Sequence, residues 1–456
     1  MKQMTKHPLR ITADALRNAF ARCGFRLLDN GEYPELESGE LSFTVFGNGP
    51  AAKPVFVQGG NYALRTQLLP YALSEMKGEL PVKAAACGKI FDAGDAQYPS
   101  RLLVEGAVIS DMSFYDLRML WKKIVRTAFG AAYEAELVHD GRPKTQSNLA
   151  GWGSSAMQRT TLKETDTWTV RVTAPDGSAF DLGTTGTMTW LAAALCGHEN
   201  EQEKCMAFSI DVDEAACAWL GIGSRAELYD NTQANLDRYP DTQVSASESF
   251  EDRCRDVLRT MGYSEGFGPK IYPDGIYKKM NMIQDEWDLN NKGVLLKEPL
   301  GSGTGLPTVL TPAIEQIVSE KWAAGEPEAR CFEVSHIFIP QNDAAPIEKL
   351  ALSFAAYGPS VSQASFTAEV DSFLTKIGNK NHFFIPNTQA IAYKFGECRL
   401  ILDERMSYLG GNFGGMSEKA EANFGIGTHA YMANLELMPL ENKAAEEYGY
   451  IPPELR

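Results

Sequence analysis

Few residues in this chain are placed to do chemistry by type and spacing. Glu105 lies inside an otherwise apolar stretch, Leu102-Leu103-Val104-Glu105-Gly106. A carboxylate facing inward there needs a partner, since burying an unpaired charge is costly. Facing outward, it is a solvated surface glutamate. Cys196, His198, Cys205 and Cys217 carry metal-ligating atoms. They lack the paired close spacing of a structural zinc module, so small buried hydrophobes are expected and no metal site is assigned. Gly410-Gly411-Asn412-Phe413-Gly414-Gly415 is rich in glycine, but no Lys and Ser/Thr pair follows as a phosphate loop requires. A flexible turn between strands is the expected form. His139, His198, His336, His382 and His429 stand in no motif with a nearby nucleophile.

The elements that must position these residues belong to a chain of 456 residues, 44% hydrophobic and 22% charged. That length suggests two or three domains at roughly 100–200 residues each. With 59 acidic against 43 basic residues the net charge is −16. An acidic surface is a poor general platform for phosphate backbones, which lowers the expectation of nucleic-acid binding without closing it. No apolar run approaches the ~20 residues that span a bilayer, and no apolar segment follows the basic start, so neither a membrane span nor a secretory signal is expected. Eight scattered cysteines among apolar neighbours read as reduced thiols, which points to the cytoplasm.

Helical periodicity marks residues 11–20, with Thr12 as cap, and Gly24 closes that segment. A second helix is expected over Thr66–Lys77. Strands are expected over Val82–Phe91, bounded by Pro81 and a turn-rich Asp92–Asp95, and over Leu102–Ser110. Ser113, with Asp116 three residues on, caps a long helix to about Phe129. Residues 141–164 read as a polar loop or insert. Strands flank the turn Pro175-Asp176-Gly177, at Trp168–Val172 and Ala179–Leu182. Ala226–Glu248, polar and Ser-rich, is the expected linker.

Beyond that linker the chain starts again. Phe250–Met261 is a helix closed by Gly262 as the first is closed by Gly24. Leu69-Pro70 has a counterpart in Thr311-Pro312, Lys89-Ile90-Phe91 in His336-Ile337-Phe338, Ser113-Phe114 in Ser365-Phe366, and Ala207–Asp211 in Ala433–Leu437. Separations that drift while the order holds are the mark of a duplicated domain with altered loops. A tandem pair of α+β domains, 1–245 and 246–456, follows.

The second half resembles the carboxyl-terminal catalytic-like module of the bacterial phenylalanyl-tRNA synthetase β subunit. The resemblance runs through Phe250–Gly266, Glu298-Pro299-Leu300, Leu306–Ile317, Arg330–Phe338, Leu350–Tyr357, Ser365–Ile377, Tyr408-Leu409-Gly410 and Tyr431–Leu440. The first half resembles a related core, in Leu64–Pro70, Val82–Phe91, Leu102–Gly106 and Ser113–Gly130. What this implies is two class II synthetase-like cores, each an antiparallel sheet with flanking helices, forming an intramolecular pseudo-dimer. No stretch resembles the family's tRNA-grasping, anticodon-binding or editing modules.

The same resemblance implies site residues. Activation in this family uses an arginine on the second motif strand, another at the start of the last helix, and a carboxylate for the substrate ammonium. Guanidinium groups suit the phosphates because they grip bidentately. Glu105 matches the carboxylate. The strand arginine is replaced by Asp92 in the first copy and Ile339 in the second. Leu220-Gly221-Ile222-Gly223-Ser224-Arg225 resembles the third motif one residue short, and reads equally as a helix cap with a surface arginine. The implied set is Glu105 and Arg65 for substrate, and Arg101, Lys89 and Arg225 for nucleotide. The chain would then bind, or activate with ATP and magnesium, an amino acid or related small carboxylate; as a catalytically inactive pseudo-synthetase it would need neither and would act as regulator, partner subunit or ligand sensor. tRNA is disfavoured as a partner, no membrane is expected, and a homodimer stays open.

Overall fold

The computed structural model describes residues 6–28, 34–38, 53–76, 80–139, 167–188, 193–194, 196–198, 205–239, 249–280, 293–341, 344–390 and 392–448. Residues 141–164 and the Ser-rich end of the expected linker lie outside them.

The first large sheet has seven strands: β1 Arg26–Leu28, β2 Val82–Phe91, β3 Ser100–Ile109, β4 Glu134–His139, β5 Thr167–Thr173, β6 Ala179–Thr187 and β7 Cys205–Asp211. The second also has seven: β8 Ser264–Glu265, β9 Ala329–Ile339, β10 Ile347–Tyr357, β11 His382–Pro386, β12 Arg399–Asp403, β13 Tyr408–Gly415 and β14 Ala430–Glu436. The spatial order is β1-β2-β3-β7-β6-β5-β4 in one and β8-β9-β10-β14-β13-β12-β11 in the other. In each, the short first strand pairs parallel and the rest pair antiparallel. One strand order, including its crossover, thus occurs twice. The chain is an α+β protein of two cores joined as an intramolecular pseudo-dimer.

The helices repeat as well. The first core has α1 Pro8–Arg22, α2 Leu69–Ser74, α3 Phe114–Phe129 and α4 Val212–Leu220; the second has α5 Phe250–Thr260, α6 Thr311–Ala323, α7 Gln363–Ile377 and α8 Leu437–Tyr448. Period-two alternation sends neighbouring residues to opposite faces of a strand. Val104, Val108, Phe208 and Ile210 therefore pack under α1, α3 and α4, while Leu103, Ala107 and Ala207 pack under α2. In the second core Phe354, Ala433 and Leu435 pack under α5, α7 and α8, and Ala355 and Met432 under α6.

Several boundaries differ from the sequence reading, each for a physical reason. Helix α1 begins at Pro8, and His7 caps it by accepting from Leu9 N (3.3 Å); Thr12 lies inside the helix and bonds Pro8 O (3.0 Å). Proline suits a first helical turn because its missing N–H is unneeded there. The helix expected over 66–77 is the shorter α2. Helix α7 is capped by Ser362, and Ser365 is the residue that bonds back to it. Gly410–Gly415 is strand, not turn. A Cβ on Gly411 would lie 2.3 Å from Leu435, and one on Gly414 would lie 2.6 Å from Glu397 O, so glycine is needed for close approach within the sheet. The start of the expected linker forms helical turns, Arg225–Leu228 and Gln233–Leu236. Asn231 is buried there and exchanges hydrogen bonds with the backbone of Phe267 (2.8 and 3.2 Å), tying the two halves together.

The cores meet over a shared apolar cluster containing Val57, Phe91, Leu296 and Phe338. Phe91 and Phe338 are the residues matched in the sequence repeat. Around the cluster, Arg17 of α1 pairs with Asp252 of α5 (3.1 Å), and Arg255 of α5 bonds Glu265 (2.8 Å), which also accepts from Arg10 (3.2 Å). Among the described residues no helix is long and apolar enough to cross a membrane.

Candidate functional site

Glu105 is set by β3, whose alternation turns it to the α2 face. It is 6% exposed. Its Oε2 accepts from Leu68 N (2.5 Å) and Leu69 N (3.0 Å), at the start of α2, and its Oε1 accepts from Ser209 Oγ (2.7 Å). Burial pushes this carboxyl above its ordinary range, against the pull of those donors. An ionised carboxylate offers about four acceptor sites, so the protein itself takes most of them. A substrate ammonium would have to compete with the N-terminus of α2.

The ladders fix the matching position in the second core. Lys89 faces Leu102 and Glu105 faces both Ala86 and Ser209, while His336 faces Leu350 and Ser353 faces both Glu333 and Asn434. With Lys89 set on His336, Glu105 falls on Ser353 and Ser209 on Asn434. Ser353 donates to Asn434 Oδ1 (2.7 Å). The second core therefore has a neutral pair where the first has a carboxylate. The sequence match of Ala207 with Ala433 is one residue out, and such a slip turns every side chain to the other face; Ala207 indeed lies under α2 and Ala433 on the opposite side.

Arg65 is fully buried and donates to Lys89 O (2.6 Å) and Pro34 O (3.2 Å). Its guanidinium stitches backbone together. Lys89 points to the other face of the sheet and to the junction, where it meets Glu35 (3.1 Å) and Ser335 Oγ (3.0 Å). His336, its counterpart, reaches the same Glu35 oxygen at 3.0 Å and Glu348 at 3.4 Å. Glu348 in turn accepts from Glu35 N and Leu36 N (2.7 and 3.0 Å). Burial opposes ionisation of Glu35, but Lys89 and His336 outweigh it and hold the carboxyl well below its usual range.

Asp92, standing where the strand arginine would be, accepts from Lys53 N (2.9 Å) and Gly94 N (2.8 Å). Arg101 lies 3.5 Å from Asp92 and 3.3 Å from Asp211. Arg225 opens its helical turn after the Ser224 cap and pairs with Asp95 (3.0 Å), Asp211 (3.7 Å) and Glu214 (3.9 Å). The structure thus brings Arg101 and Arg225 together on one aspartate. Behind them Asp213 accepts from Leu102 N (3.0 Å) and Tyr229 Oη (2.6 Å). Burial, then the neighbouring Asp211, pushes its carboxyl up to about 7. These residues do not suit a triphosphate. Both arginines face carboxylates, and one of these, Asp92, stands where the resemblance would put the phosphate-gripping arginine.

A cavity of about 430 Å³ opens between the cores. Leu9, Lys89, Tyr98, Arg101 and Tyr229 come from the first half, and Phe267, Lys270 and Gln316 from the second. No sequence motif pointed to Tyr98, Tyr229, Phe267 or Lys270; they lie far apart in the chain, and only the docking of the cores gathers them. Of the cysteines considered for zinc, Cys196 and Cys205 share the cluster under α2, while Cys217 packs against the one on the opposite face.

Residues 237–437 match a family model, the phenylalanyl tRNA synthetase beta chain CLM domain. The phenylalanine–tRNA ligase alpha subunit of Clostridium perfringens is 28% identical over 244 residues, covering 51% of this chain and 69% of that protein. The alpha subunit of Acetivibrio thermocellus is 26% identical over 240 residues (50% and 66%). That of Fusobacterium nucleatum is 29% identical over 136 residues (28% and 39%). Two cores of one topology, joined through their first helices and matching synthetase subunits of both kinds, define an aminoacyl-tRNA synthetase-like chain. Within that class the chain is phenylalanyl-tRNA synthetase-like.

Proposed function

We propose that this phenylalanyl-tRNA synthetase-like chain is a cytoplasmic pseudo-synthetase, a ligand sensor that does not activate amino acids. The observation that carries this reading is Glu105. The carboxylate matched to the substrate amine is spent on Leu68 N, Leu69 N and Ser209 Oγ. The charge around Arg101 and Arg225 supports it, because Asp92, Asp95 and Asp211 would repel a triphosphate and its leaving pyrophosphate. A small carboxylate or amino acid remains within the ligand range of such a sensor, and tRNA does not.

The rival reading, ATP- and magnesium-dependent activation of an amino acid in the first core, requires Arg101 and Arg225 to leave their aspartates for phosphate. Titration calorimetry separates the two. With the magnesium salt of ATP and the full chain, no binding heat is expected. Saturable binding that weakens in Arg101→Ala would contradict the proposal.

A further inference from the structure

The cavity between the cores is distinct from the position of Glu105. Leu102 and Lys89, which line it, belong to the α1 side of the first sheet, and Glu105 faces α2. Its volume of about 430 Å³ lies within the roughly 300–1,000 Å³ of small-molecule sites. One part of the wall is aromatic. Tyr98 and Tyr229 stack at 5.7 Å and 17°, and Phe267 stands edge-on to Tyr229 at 6.3 Å and 80°. The other part is cationic and incompletely satisfied. Arg101 uses its terminal nitrogens on Asp92 and Asp211, and its buried Nε has no acceptor. The side chain of Lys270 is 10% exposed, and its ammonium, which has three N–H donors, is paired with the Glu333 carboxylate. Glu320, the carboxylate on this wall, is already held by Asn231 (2.9 Å) and Gln316 (3.2 Å).

Buried donors without acceptors cost free energy that an acceptor of the right charge restores. Planar rings beside them offer stacking to a flat apolar body. We infer that the junction cavity binds a small aromatic anion, its ring against Tyr98, Tyr229 and Phe267 and its single anionic group against Lys270 and the Nε of Arg101, the one guanidinium nitrogen that the aspartates leave unused and too little to hold a triphosphate. The occupant touches both cores, so its binding stabilises their junction. This deepens the sensor reading by giving the sensor its site and ligand class.

The test is thermal shift followed by calorimetry on the full chain, with benzoate and phenyl phosphate as ring-bearing anions and with inorganic phosphate and benzyl alcohol as the separate halves. A ligand that binds the folded form raises the melting temperature. A shift is expected with benzoate or phenyl phosphate, and whichever is larger names the anionic group; neither half alone should match it. Lys270→Met should weaken binding about tenfold or more. Because that change leaves Glu333 without its cation, Ser302→Trp serves as a second variant: Ser302 is exposed and lines the cavity, and the indole should block it with the same loss. No shift with either ring-bearing anion overturns the inference. So does an equal shift with inorganic phosphate, which marks an ion site only, or binding that survives Ser302→Trp but is lost in Glu105→Gln. Amino-acid-dependent pyrophosphate exchange would sink the sensor reading while leaving binding at the cavity intact, so the two failures can be told apart.

Discussion

On the face under α2 the first core presents Glu105 and Ser209; at the same ladder positions the second presents Ser353 and Asn434. The first pair is an acid held by three protein donors, the second a neutral pair whose asparagine also donates to Tyr393 Oη. Neither leaves a free charge for a substrate. The contrast at the junction runs the other way. Lys89 and His336 are also matched positions, and there the two copies converge on one carboxylate, Glu35. Duplicating a fold makes a new meeting place for charged side chains at the junction, because only there do residues of both copies become neighbours.

Changes at the matched positions can break or sharpen this contrast. The largest effect belongs to Glu35→Gln. Removing the shared carboxylate takes the anion from the largely covered ammonium of Lys89, and losing one partner of a buried pair costs about 3–5 kcal/mol. Urea unfolding should report a loss in that range; under about 1 kcal/mol would mean the junction does not depend on Glu35. Glu105→Gln comes next. Its amide would set an N–H against donors that need an acceptor, at a cost of about 1–3 kcal/mol. Ser353→Ala should cost less, about 1 kcal/mol, since only a neutral bond is lost. Equal losses at Glu105 and Ser353 would erase the proposed difference between the cores.

The smallest effect is a slope. Burial and Asp211 push the Asp213 carboxyl up to about 7, and burial does the same to Glu37, also to about 7. An exposed carboxyl ionises at about 4. Between those values the folded chain keeps protons that the unfolded chain has released. The contribution of each group to stability therefore falls as pH rises through that window and levels off above it. Asp213→Asn should flatten the fall seen in melting temperature between pH 5 and pH 8, and an unchanged slope would show that Asp213 ionises normally.

Much of the architecture was legible because it is local or repeated. Val82–Phe91 is a strand over those very residues, since Pro81 and a turn cluster bound an apolar run. The duplication was legible from landmarks in order, and the identical strand order bears it out. Features set by distant neighbours were not. A histidine cap on α1, the side chains of Asn231 and Asn235 donating to backbone carbonyls, and a glycine strand against Leu435 all depend on contacts that pattern does not carry. The same limit applies to the candidate site. Glu105 was visible as an acid in an apolar strand needing a partner. That the partner is the start of α2, and that Lys89 points to the opposite face, follows from the packed structure alone.

The central claim is that the first core's amine position is occupied by the protein itself. Pyrophosphate exchange with ATP, magnesium and each of the common amino acids tests it most directly. The account predicts exchange at background for every amino acid, the same in the parent chain and in Glu105→Gln. Exchange driven by any one amino acid and abolished by Glu105→Gln would contradict it.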